Sequence, residues 1–75
     1  ILVIPKTHIP KLSDADSSHK DILGHLMWVT GEIARKLDIE DAYRVVVNNG
    51  ARAGQSVFHL HLHILSGRVF SWPPG

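Results

Sequence analysis

Between Val57 and Leu65 the sequence "VFHLHLHIL" sets imidazole and apolar side chains at alternate positions. Only an extended strand, whose successive side chains point to opposite faces, sorts such a pattern; a helix would scatter it around its circumference. His59, His61 and His63 therefore share one face, and Phe58, Leu60, Leu62 and Ile64 share the other. The apolar face requires a second layer to cover it. The imidazole face is expected to stay open and to do polar work.

The covering layer is legible upstream. From about Asp16 to Leu37, Ile22, Leu23, Leu26, Met27, Val29, Thr30, Ile33, Ala34 and Leu37 recur at intervals of three and four, which predicts a long amphipathic helix. "SDAD", Ser13 to Asp16, reads as a capping box at its start, and Arg35 and Lys36 suit the negative end of its dipole. "ILVI" predicts a buried strand ended by Pro5, which lacks a ladder donor, and "KTHIPKL" a loop. "YRVVVNN" predicts a second strand, "GARAGQS" a glycine-bearing loop, and the histidine strand then returns antiparallel to the second. "SGRVFSWPPG" is an irregular tail. The fold class is α+β, an antiparallel sheet packed against one long helix.

Seventy-five residues hold one core. A domain of this size buries roughly 60–65% of the surface its unfolded chain exposes, so support from a further segment or a partner subunit is expected. The chain opens inside the apolar run "ILVIP", which suggests one domain over residues 1–75 with its N-terminal part missing. Its unbroken apolar runs fall far short of the roughly 20 residues that cross a bilayer, so no membrane association is expected. With 8 basic and 7 acidic residues and no basic stripe, polymeric nucleic acid is not the expected partner. The absence of cysteine excludes disulfides and thiolate metal sites within these residues and suits the cytoplasm.

Three readings of the imidazole face compete. The histidines are incidental; or they hold a metal; or they are catalytic. Alternate strand residues stand about 6.7 Å apart, so the outer pair, about 13 Å apart, cannot easily join the middle one around zinc at about 2.0–2.1 Å. Two could, with donors from elsewhere. For catalysis, a reference pKa near 6.5 leaves roughly three-quarters of imidazoles neutral at pH 7. One can attack, a neighbour can donate a proton, and a third can fix the nucleophile's tautomer. The loop "NNGARAGQS", Asn48 to Ser56, lets backbone N–H groups approach an anion, although it matches neither G-x-x-x-x-G-K-[ST] nor G-x-G-x-x-G. Beside three imidazoles it points to phosphoryl or nucleotidyl chemistry without an obligatory metal. His8, His19 and His25 read as loop or helix-surface residues, with His25 beside the apolar stripe in a structural or interface role.

"HLHLHIL" resembles the H-φ-H-φ-H-φ-φ signature of the histidine triad (HIT) superfamily, and "GQSVFHLHLHILSGR" with the terminal "WPPG" resembles its Hint branch. The resemblance extends through "LVIPK", "LGHLM" and "YRVVVN" to the whole chain. It implies a homodimeric hydrolase that cleaves the P–N bond of purine nucleoside 5'-phosphoramidates, with AMP or GMP as product. By the same resemblance His61 is the nucleophile, His63 contacts the α-phosphate and His59 orients His61. Ser56, with the Gly54 and Gln55 backbone, binds the phosphate and helps to protonate the leaving group, and Asn48 completes the ribose and phosphate contacts.

Trp72 is expected to reach the partner subunit's site, and the helix and "YRVVVN" strand to join two subunits into one sheet. No metal is required for the chemistry, and any zinc would sit outside the catalytic step. Ser66, Ala53 and Asn49 depart from the Hint pattern at the rim of the site. Base preference is left open, because the family's base pocket lies in its N-terminal segment. The rival readings are dinucleoside polyphosphate hydrolysis, a nucleotide-binding interaction module, and a metal-binding strand.

Overall fold

The computed structural model describes all 75 residues. Strands β1 (Leu2–Val3), β2 (Arg44–Val46) and β3 (Leu62–Leu65) form one antiparallel sheet in the order β1-β3-β2, and helix α1 (Lys20–Lys36) lies between β1 and β2 in the chain. This is the expected α+β class. The histidine-bearing strand is central: Leu2 and Val3 stand opposite His63 and Leu62 on one side, and Arg44, Val45 and Val46 opposite Leu65, Ile64 and His63 on the other. Its position between two partners explains why its apolar side chains reach the middle of the core.

That core is Val3, Ile9, Leu26, Leu60, Leu62 and Ile64, with Ile22, Leu23, Val29, Ile33, Val45 and Val47 packed around it. The helix contributes the predicted face, and buried Thr30 satisfies its hydroxyl by donating to the Leu26 carbonyl at 2.8 Å. Met27 and Leu37, counted on that face from their spacing, are exposed because they lie at its margin. The first strand is not buried on both faces as "ILVI" suggested. Only Val3 turns into the core, while Leu2 and Ile4 emerge on the histidine side, which no second layer covers. No helix is long and apolar enough to cross a membrane.

The capping box lies three residues beyond the expected one. Ser13 falls inside a 3-10 turn, Leu12–Asp14, and its N–H is taken by the Asn49 side chain at 2.8 Å. Asp16 is the cap instead: it accepts the Ser18 N–H, while its own N–H donates to His19 Nδ1 at 3.0 Å. The Ser18 hydroxyl and N–H both donate to the Asp16 carboxylate and hold its pKa below the ordinary value. Two 3-10 turns, Leu12–Asp14 and Ser17–His19, thus lead into α1 where the sequence suggested helix from Asp16.

At the other end, Arg44 binds the tail to β2. Its guanidinium lies over the Phe70 ring, 4.9 Å from the centroid, and donates to the Ser71 carbonyl; Arg68 stacks on the same ring at 4.6 Å.

Helix α1 ends with the Ile39 N–H on the Ala34 carbonyl at 3.0 Å and the Asp38 N–H on the Arg35 carbonyl at 3.2 Å. These are the paired bonds of a Schellman motif, whose C′ residue adopts the left-handed conformation that favours glycine. Here Asp38 holds it, at φ 57°. Its carboxylate also faces the negative end of the helix dipole. Asp38→Gly relieves both penalties and is expected to raise stability by about 1 kcal/mol in denaturant titration.

Candidate active site

The alternation of Phe58 to Ile64 survives in the structure better than the strand that was expected to carry it. The ladder begins only at Leu62, because Pro5 has no N–H to offer and the chain beyond it turns away; the Leu60 N–H donates to the Ile9 carbonyl instead, at 2.6 Å. Leu60, Leu62 and Ile64 are nevertheless buried. Phe58, expected with them, is exposed, since it lies outside the paired region. His59, His61 and His63 are half-buried rather than fully open and line a cleft of about 780 Å³ with Ser56, Val57, Lys6, Leu2 of β1 and Ile4 just beyond it.

Backbone carbonyls fix two of the three rings. A carbonyl only accepts, so the ring nitrogen facing it must carry the proton. His61 Nδ1 lies 2.7 Å from the His59 carbonyl, which makes it the N–H and leaves Nε2 with a free lone pair. His59 Nε2 lies 2.8 Å from the Pro5 carbonyl and is likewise the donor. In the neutral ring its Nδ1 then accepts, and the His8 Nδ1–H, 3.2 Å away, is the donor facing it. His63 meets the edge of His61 with ring centroids 4.9 Å apart, and its Nε2 is the one buried side-chain N or O atom without a hydrogen-bond partner. Unpaired buried polar groups are rare and need an explanation of this kind of site.

The glycine loop adds Ser56. Gly50 and Gly54 take φ of 92° and 98°, either side of a 3-10 turn, Ala51–Ala53. Gly54 also packs against Asn48, whose side-chain amide lies 3.7 Å from where a Cβ would stand. Of the residues singled out in the sequence, the structure brings Ser56, His59, His61 and His63 together in the cleft. Asn48, Gly54 and Gln55 form the loop's framework behind it, and Trp72 stands on the tail, exposed and outside the cleft.

His8 and Lys6 were missed. In the β1–β3 register each pair of residue numbers adds to 65, as 2 with 63 and 3 with 62. The ladder stops short of Pro5, and the loop beyond it leaves that register, bringing His8 Nδ1 to 3.2 Å from His59 Nδ1 and the Ile9 carbonyl to the Leu60 N–H. The carbonyl contacts predict that 15N NMR near neutral pH finds neutral His61 protonated at Nδ1 and neutral His59 at Nε2. The opposite tautomer at His61 would remove the lone pair from the position described.

Comparison with known proteins places this geometry. Residues 1–70 match the HIT domain family model. A protein of Synechocystis named an uncharacterized HIT-like protein is 56% identical over all 75 residues, and this chain spans 66% of its length, just under two thirds. A maize protein named a 14 kDa zinc-binding protein is 46% identical, and 60% of it is covered. Among solved structures, a HIT family hydrolase from Legionella pneumophila superposes with a TM-score of 0.94 at 36% identity, over 99% of this chain and 67% of that one. The motif, the central histidine strand and the match across nearly the whole sequence agree: this chain belongs to the HIT family.

Proposed function

We propose that this chain is the catalytic part of a Hint-like hydrolase that cleaves the P–N bond of purine nucleoside 5'-phosphoramidates through a nucleotidyl-histidine intermediate. The observation that carries the reading is the His61 Nδ1–H bond to the His59 carbonyl, which leaves Nε2 unprotonated in a ring that lines the cleft. In the first step the Nε2 lone pair attacks the α-phosphorus and the P–N bond breaks as the amine takes a proton from the Ser56 hydroxyl, which regains one from water. In the second, water cleaves the phosphorus–nitrogen bond to His61 and releases AMP or GMP.

The other residues have matching tasks. His63 lines the cleft beside His61 and is given the contact to the phosphate. Ser56 lies in the same cleft and supplies the leaving-group side. His59 holds His61 through its backbone while the Pro5 carbonyl and His8 hold its own ring. Lys6 is the one fixed charge among the cleft residues, and its sign suits a nucleotide.

The working unit proposed is a homodimer, with cytoplasmic residence. Strand β2 has a partner on one side only, and the exposed Met27 and Trp28 side chains of α1 lie on the surface expected to meet a second subunit. Trp72 would then act on the partner's leaving group. Zinc would sit outside the catalytic step. His8 and His59 present nitrogens 3.2 Å apart, close to the roughly 3.3 Å between neighbouring donors on tetrahedral zinc, but no group of three His, Cys, Asp or Glu converges. Two of four donors are in place, so the ion would require two more.

The test is turnover of an adenosine phosphoramidate beside a dinucleoside polyphosphate. The phosphoramidate is expected to be the better substrate, and His61→Ala to lose about 10³-fold or more in kcat/KM. Preference for the polyphosphate would move the protein to another HIT branch, and wild-type turnover by His61→Ala would overturn the mechanism.

A further inference from the structure

We infer that the Gln55 side chain is the clamp that positions the phosphate loop, a task separate from the ligand contact expected of its backbone. The inference rests on the hydrolase reading above. Its basis is that Gln55, 3% exposed, is one of two buried polar residues in the chain; the other, Thr30, merely bonds its own helix. An amide side chain brings one acceptor and two donor hydrogens. All three are used.

Gln55 Oε1 accepts the Gly50 N–H at 2.8 Å, and Nε2 donates to the Pro10 carbonyl at 2.7 Å and the Val57 carbonyl at 3.1 Å. The Gln55 N–H donates to the Gly50 carbonyl at 3.1 Å, so residues 50 and 55 are tied twice. The partners lie at the start of the loop, just beyond Ser56, and in the segment that follows β1. One side chain therefore joins both ends of the turn that holds Gly54 and Ser56 to a distant stretch of chain. Next to Pro10, the Ile9 carbonyl takes the Leu60 N–H, so the anchor is tied to the histidine segment as well.

Gln55 does not line the cleft, and its side-chain polar groups are all spent on the fold. It is a positioning residue. Its effect on the reaction passes through Ser56, and misplacement of such a group by about 1 Å can cost about 10²-fold in rate. Glutamate at this position would turn a carboxylate toward the Pro10 and Val57 carbonyls, whereas methionine would keep the length and lose all three bonds.

The experiment compares wild type, Gln55→Met and Gln55→Glu in the full-length protein. It follows the rate of His61 nucleotidylation in a single turnover of adenosine phosphoramidate, with circular dichroism to count the folded fraction. Gln55→Met is expected to slow nucleotidylation about 10- to 100-fold per folded molecule. Gln55→Glu is expected to be slower still at pH 7, and its rate relative to wild type to rise as pH falls, because protonation removes the repulsion and returns one donor. Division by the wild-type rate cancels the titration of the histidines. A merely structural role would give losses that follow the unfolded fraction at every pH.

Wild-type rates per folded molecule in Gln55→Met would overturn the clamp. Absence of a His61 adduct in wild type would instead sink the hydrolase reading. In that case AMP-induced shifts of the Gly54 and Ser56 amides decide: their loss in folded Gln55→Met supports the clamp, and their persistence rejects it.

Discussion

In a strand the two faces cannot be chosen independently, and the site follows from that constraint. Leu60, Leu62 and Ile64 are drawn under α1, so His59, His61 and His63 must emerge on the other side. Full burial of an aliphatic side chain contributes about 1.5–3 kcal/mol. Turning this segment over would forfeit three such contributions and bury three imidazoles, a loss comparable with the whole stability of a domain, about 5–15 kcal/mol. The histidine face is thus held by residues that never touch it.

Fine alignment comes from polar groups around that frame. The His59 carbonyl selects the His61 tautomer, and the Pro5 carbonyl selects that of His59. Both contacts use backbone atoms, so they depend on the path of the chain rather than on which side chains it carries there. Proline contributes twice at position 5. It ends the ladder for want of an N–H, and its freed carbonyl becomes the His59 acceptor.

These relations explain what was legible in the sequence. The faces of residues 59–64, the amphipathic helix and the glycine turn are local, periodic features, and they appear where the spacing put them. Ladder length was not legible, because it depends on which backbone donors meet across strands; β3 begins at Leu62 although the alternation starts earlier. The cap moved from Ser13 to Asp16 because Asn49, far along the chain, takes the Ser13 N–H. His8 meets His59 because the loop after Pro5 folds back over the histidine segment, a long-range relation that no spacing around residue 8 expresses. The family resemblance gives Gln55 a role through its backbone, and nothing in "GQS" indicates that the side chain turns inward.

The proposed function turns on the covalent nucleotidylation of His61. The most direct measurement mixes the full-length protein with an adenosine 5'-phosphoramidate, quenches within the first turnover, and maps any added mass. An AMP adduct on His61 that disappears with further incubation as water cleaves it is expected. Bound but unattached nucleotide, or an adduct on another residue, would contradict it.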